Sequence, residues 1–271
     1  MTHAAPRRLT VTSEISIPYI DHGPMTGAPV VLIHGLGDSL HSYDLVLAHL
    51  PDDVRALVPT LRGHGDADRP ADGYSPANFA TDLAVVLDDA GAESAVLVGH
   101  SSGSQVALQF AITYPQRTQG LVLVGAPGAI RDHPGRAEFD RAFSTIADPI
   151  DPAFVRAFQQ SLVARALPDA FLDTLVAESL KAPARVIRAT WAGISEFDLA
   201  DDLTRITAPT LLVWGDKDPV SVASREAQDW LLAAIPDARL SVYEGVGHSP
   251  HWEDPVRFAA DLASFSRAVR T

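Results

Sequence analysis

Short runs of aliphatic residues, closed by turn-forming residues, recur along the chain: 29–33 (Pro-Val-Val-Leu-Ile), 95–98 (Ala-Val-Leu-Val), 120–124 (Gly-Leu-Val-Leu-Val) and 210–214 (Thr-Leu-Leu-Val-Trp). A run without polar alternation is buried on both faces. Such runs predict strands of a mostly parallel sheet covered by helices. Between them the period changes. In residues 77–90, Phe79, Leu83, Val86 and Leu87 fall three and four apart, and residues 103–114 form a second helical stretch that stops before Pro115. A further short strand is expected over 239–243. The alternation of strand and helix predicts an α/β class: a mostly parallel central sheet flanked by helices.

From residue 127 to residue 207 the strand pattern disappears, and helical stretches follow one another, separated by Pro149, Pro152, Pro168 and Pro183. Strand and helix patterns resume afterwards. The expected organisation is therefore a core domain of residues 1–126 and 208–271, interrupted by a helical cap of residues 127–207. Phe139, Phe143 and Ile146, then Ile187, Trp191 and Ile194, give two of these helices an apolar stripe; Phe154, Phe158 and Leu162 give a third. Part of each stripe must pack within the cap. An insert placed after the strand at 120–124 also sits above the carboxyl ends of the sheet, where α/β proteins bind ligands. Phe143, Phe158 and Trp191 are accordingly candidate substrate-binding residues.

Charge and composition narrow the partners. The formal net charge is -13 with 46% hydrophobic and 20% charged residues, an ordinary globular balance that repels a phosphate backbone. Nucleic acid is not an expected partner. The chain has no cysteine, which excludes disulfides and thiolate catalysis. No apolar leader follows Met1 and no 18-residue apolar stretch occurs, so a cytoplasmic protein without membrane attachment is expected. A small-molecule substrate is the expected partner, and a homodimer is left open.

The chemistry is carried by Gly99-His100-Ser101-Ser102-Gly103, set directly between a strand and a helix. A serine on such a strand-to-helix turn projects its hydroxyl above the sheet, beside the positive end of the helix, and glycines on either side permit the sharp turn. Serine needs a base to act as a nucleophile. Gly245-Val246-Gly247-His248 offers one, with His251 the nearest competitor in a stretch that reads as the start of the final helix. The acid that orients the histidine is sought after the strand at 210–214, where Asp216 and Asp218 both stand. Asp218 lies deeper in the loop, while Asp216 sits at the turn itself. Acyl transfer also needs donors for the developing oxyanion. The loop His34-Gly35-Leu36-Gly37 and the elbow are where they are expected, and by the geometry of strand-to-helix serine turns the N–H groups of Leu36 and Ser102 would form the pair. His34 reads as a structural residue, and Arg62-Gly63-His64-Gly65 as a tight loop.

With H-G-x-G, R-G-H-G, G-H-S-x-G, G-x-x-D-P and G-x-G-H in this order, the chain resembles the α/β-hydrolase superfamily over essentially its whole length, and within it the small capped esterases, lactonases and cofactor-free haloperoxidases or perhydrolases. The resemblance implies hydrolysis of a carboxylic ester or lactone of modest size and apolar character through an acyl-serine intermediate. Ser101 would be nucleophile, His248 base and Asp218 the orienting acid. Haloalkane dehalogenases and epoxide hydrolases of this fold carry aspartate where Ser101 stands. The carbon-carbon bond hydrolases usually have asparagine before the serine and tryptophan after the histidine, where this chain has His100 and Ser249. Carbon-carbon or amide hydrolysis, and a non-catalytic ligand-binding protein of the same fold, remain as alternatives. No metal, nucleotide or flavin motif is present, and no cofactor is expected.

Overall fold

The computed structural model describes residues 5–198 and 202–270. Residues 1–4 and 271 of the expected core domain, and 199–201 of the expected cap, lie outside the described residues. Strands β1 (Arg7–Thr12), β2 (Ile15–His22), β3 (Val30–Ile33), β4 (Ala56–Pro59), β5 (Ala95–His100), β6 (Thr118–Val124), β7 (Thr210–Gly215) and β8 (Ala238–Tyr243) form one sheet in the order β1-β2-β4-β3-β5-β6-β7-β8. Contacts of β1 with β2 and of β2 with β4 are antiparallel. All others are parallel.

The helices in chain order are α1 (Asp44–Leu47), α2 (Pro76–Asp89), α3 (Ser102–Thr113), α4 (Arg136–Ser144), α5 (Pro152–Ser161), α6 (Asp169–Ser179), α7 (Ala184–Ser195), α8 (Arg225–Ala234), α9 (Pro250–Glu253) and α10 (Pro255–Ala268). Their starts follow local chemistry. Ser75 and Asn78 close a reciprocal capping box on α2, with Pro76 in its first turn. The Asp254 side chain accepts from the Arg257 N–H at the head of α10.

The two-residue period of a strand divides each aliphatic run between two cores. Val31, Ile33, Leu97, Leu121, Leu123 and Leu212 pack with Phe79 and Leu83 of α2, Val106 and Phe110 of α3 and Leu231 of α8. Val30, Leu32, Val96, Val98, Val122 and Val213 pack on the opposite face with Val46 and Leu47 of α1 and Phe258 and Leu262 of α10. This double burial is what the continuous aliphatic runs encode.

Between β6 and β7 the described residues form the four helices α4, α5, α6 and α7. They bury small clusters of their own, one around Trp191, Ile194 and Ile130 and another around Val155, Leu172 and Val176. Three strands carry no aliphatic run that marks them in the sequence. β1 is an exposed edge strand, β2 is interrupted by Pro18, and β4 has four residues and ends at Pro59. Pro18 has no N–H to donate, and its carbonyl accepts from the Thr60 N–H at 2.9 Å, just past the end of β4.

Candidate active site

Ser101 occupies the break between β5 and α3 with φ 52° and ψ -119°, the only non-glycine residue with positive φ among those described. A backbone held there carries about 1–3 kcal/mol of strain. Its surroundings hold it in place: the Ser101 N–H donates to Val124 O at 2.8 Å, and Ser104 Oγ donates to Gly99 O at 2.7 Å. The two glycines serve close approach rather than unusual φ. A Cβ on Gly99 would lie 2.3 Å from Gly103 O, and one on Gly103 would lie 2.6 Å from His34 O.

The His248 loop follows β8, parallel to β5, and reaches the same cavity from the same carboxyl edge of the sheet. His248 Nδ1 and Asp218 Oδ2 are 2.8 Å apart, with 3% and 0% of the two side chains exposed. Asp218 Oδ1 accepts from the Val220 N–H at 2.9 Å. The backbone N–H of His248 donates to Leu162 O at 2.7 Å, just beyond the end of α5. Gly125 makes room for the imidazole, since a Cβ there would sit 2.9 Å from His248 Nδ1. Ser101, His248, Leu36 and Ser102 line one cavity. Ser102 opens α3, so its N–H has no partner one helical turn back.

Asp216 lies elsewhere in the loop. Its Oδ1 accepts from the Gly245 N–H at 2.6 Å, which holds its carboxyl below the usual carboxylate range, and its own N–H donates to Tyr243 O. It pins the turn after β7 to the loop that carries His248. His251 is buried against His100 and Tyr43, with ring centroids 4.5 and 5.0 Å apart. Burial pushes its pKa down to about 3, so it stays neutral inside the core. It belongs to the separate short helix α9, and the final helix begins only at Pro255.

His34 accepts from the Leu61 N–H through Nε2 at 2.9 Å and pairs Nδ1 with Gly35 O at 2.8 Å. With burial it is neutral, its pKa lowered to about 3. Arg62 is committed to Asp82 by two hydrogen bonds of 2.7 and 2.6 Å, both side chains being buried, and so offers nothing to an anion. His64 Nδ1 pairs with Arg62 O at 3.0 Å.

The profile of the alpha/beta hydrolase fold matches residues 28–255. The chain belongs to this family. It is similar to a solved esterase from Rhodococcus sp., at 28% identity and TM-score 0.82 over 98% of this chain and 100% of that one. It is equally similar to Est816, described as an N-acyl homoserine lactone degrading enzyme, at 28% identity and TM-score 0.80 over 96% of this chain and 100% of that one. Among curated relatives, a non-heme chloroperoxidase from Streptomyces lividans is 29% identical over 96% of this chain and 99% of its own.

In this hydrolase the cavity beside Ser101 also has Phe143, Phe158 and Trp191 in its wall. A second, larger apolar cavity adjoins it, with Leu36, Phe139, Phe143, Phe158 and Gln159 lining both. The three aromatics expected from periodicity thus come together with Ser101 and His248. Several residues of the site were not marked by the sequence reading. His100 packs against His248 with the rings tilted at 54° and centroids 5.0 Å apart, and places Nε2 3.2 Å from His248 O and 3.3 Å from Ser249 Oγ. Its burial keeps it neutral, its pKa well below the ordinary value. Glu253 accepts from the N–H groups of Gly247, Ala164 and Arg165 at 2.8–2.9 Å, joining the His248 loop to the segment after α5. Asp38 and Gln159 line the cavity as a buried polar pair. Local sequence sets none of these apart, although His100 stands within the serine turn and Asp38 directly after the glycine loop.

No group of three or more His, Asp or Glu side chains suited to a metal ion occurs among the described residues. No helix among them is long and apolar enough to cross a membrane.

Proposed function

We propose that this protein is a serine hydrolase that cleaves a carboxylic ester or lactone of small to medium, largely apolar size through an acyl-serine intermediate. The observation that carries the reading is the buried 2.8 Å pair of His248 Nδ1 with Asp218, in a cavity shared with a serine held at positive φ. With Nδ1–H bound to Asp218, the lone pair of His248 is on Nε2, the atom that must take the Ser101 proton. Ser101 Oγ attacks the carbonyl carbon, and the oxyanion that forms is met by the N–H groups of Leu36 and Ser102. Collapse expels the alcohol, which leaves with the proton from His248. Water then repeats the sequence and releases the acid. Support also comes from the esterase of Rhodococcus sp. and the lactone-degrading Est816, which this chain resembles along nearly its full length.

A fluorophosphonate probe followed by peptide mapping tests the reading. Stoichiometric labelling of Ser101, lost in Ser101→Ala, together with turnover of p-nitrophenyl acetate, is expected. A folded protein that takes no label and turns over no ester or lactone is a ligand-binding member of the fold instead.

A further inference from the structure

The cavity beside Ser101 is apolar on most sides, yet one carboxyl stands in its wall. Asp38 is 3% exposed and no lysine or arginine pairs with it among the described residues. Its Oδ1 accepts from Gln159 Nε2 at 3.1 Å, and that same Nε2 donates to Ser179 Oγ at 3.1 Å. Burying a carboxylate against a single neutral amide is costly, since the group can accept about four hydrogen bonds. Burial accordingly pushes the Asp38 carboxyl up to about 7. In either protonation state it keeps an oxygen able to accept. Gln159 is 2% exposed and its Oε1 is buried without a partner. Gln159 Oε1 therefore lacks a hydrogen-bond donor, and Asp38 receives one from Gln159 where a carboxylate can accept several. Buried polar groups left unpaired in this way concentrate at functional sites.

Position adds the second half of the argument. Asp38 follows Leu36 by two residues on the loop assigned to the oxyanion, so its carboxyl stands close to where the scissile carbonyl must lie. Leu36 and Gln159 also border the larger apolar cavity. A substrate that occupies both spaces passes an apolar chain along Phe154 and Phe158 and brings the atoms next to its carbonyl past Asp38.

We propose that Asp38 is a specificity-determining residue, accepting a hydrogen bond from a hydroxyl or amide N–H that the substrate carries within a few bonds of its scissile carbonyl, with Gln159 as the positioning residue that aims it. The preferred substrates are then hydroxy- or acylamino-substituted esters or lactones with an apolar tail. This inference rests on the ester-hydrolase reading.

The test is pH-stat hydrolysis of ethyl butanoate, its 2-hydroxy, 3-hydroxy and 2-acetamido derivatives, and the methyl ethers of the two alcohols. At pH 8, where Asp38 is charged, a hydrogen bond to it contributes about 1.5–3 kcal/mol, so at least one donor-bearing ester should exceed ethyl butanoate about 10- to 100-fold in kcat/KM. The methyl ethers, which accept but cannot donate, should gain nothing. In Asp38→Leu the ratio of donor ester to methyl ether should collapse toward one, whatever the absolute rate. If that variant does not fold, Asp38→Asn, which keeps a Gln159 partner and the side-chain size, should lower the ratio at least about threefold. A wild-type ratio near one, or a ratio unchanged by either substitution, overturns the role of Asp38 while leaving ester hydrolysis standing. Failure to cleave any of these esters or p-nitrophenyl acetate removes the hydrolase reading itself, and the Asp38 proposal with it.

Discussion

Asp216 and Asp218 are two carboxylates on one loop, separated by a single lysine, and their surroundings give them different tasks. Asp218 is buried against His248 Nδ1, whereas Asp216 accepts from the backbone of Gly245 at the surface. Asp218→Asn should therefore present His248 with an amide that can donate to Nδ1, favour the wrong tautomer and lower kcat by about 10⁴, as in serine protease triads. Asp216→Asn keeps an acceptor oxygen for Gly245 and should lower kcat by less than about tenfold. Steady-state kinetics of the two variants on p-nitrophenyl acetate decides it, and the reverse order of losses would move the acid by two residues. At this scale the site was legible where chemistry is written into adjacent positions. The elbow around Ser101 and the G-x-G-H loop each place their key residue through local glycines. Asp38 was not, because what makes it distinctive is a hydrogen bond to Gln159, 121 positions away.

Helix α5 illustrates how far periodicity reaches at the scale of an element. Phe154, Phe158 and Leu162 give it one stripe in the sequence, but the deepest residues are the neighbouring Val155 and Gln159, at 7% and 2% exposure, while Phe154 and Phe158 are 49% and 36% exposed along the cavity. The three- and four-residue period located the helix and its apolar side, and a rotation of one residue decided which side chains are buried. In α7, Trp191 is fixed more firmly, its ring 5.3 and 5.0 Å from Phe139 and Phe143 and its Nε1 donating to Asp140 at 2.6 Å. The two aromatics should then separate in experiment. Phe158→Ala should raise KM for p-nitrophenyl hexanoate severalfold, leave acetate nearly unchanged and shift the thermal midpoint little. Trp191→Ala should also lower stability by about 3–5 kcal/mol, the usual cost of emptying a buried aromatic position. Equal effects of Phe158→Ala on both esters would remove it from the acyl or alcohol subsite. Strands obey the same limit: β3, β5, β6 and β7 announce themselves by aliphatic runs buried on both faces, whereas β1 is an exposed edge, β2 is broken by proline, and β4, though buried, offers three aliphatic residues before Pro59.

Taken as one titrating body, the molecule holds four histidines, His34, His64, His100 and His251, without charge in its interior. Burial lowers the first, second and fourth to about 3, 4 and 3, and holds His100 well below its ordinary value. In the unfolded chain each returns to about 6.5. Stability from these groups is complete above pH 6.5 and is lost as pH falls toward the folded values, because the unfolded chain takes up protons that the folded one refuses. Asp38 acts in the opposite direction: held near 7 when folded, it binds a proton that the unfolded carboxyl releases until pH approaches its ordinary value. The balance near pH 5 is about three protons in favour of the unfolded state, a slope of about 4 kcal/mol per pH unit. Against a typical total stability of about 5–15 kcal/mol, the fold should give way between about pH 5 and pH 4. Urea denaturation at pH 7, 6 and 5 measures this directly. His64→Asn, which keeps a donor near Arg62 O, should flatten the slope by about one proton's worth, roughly a third of it, whatever it does to the absolute stability. A midpoint independent of pH from 7 to 5 would mean that these histidines gain protons in the folded protein.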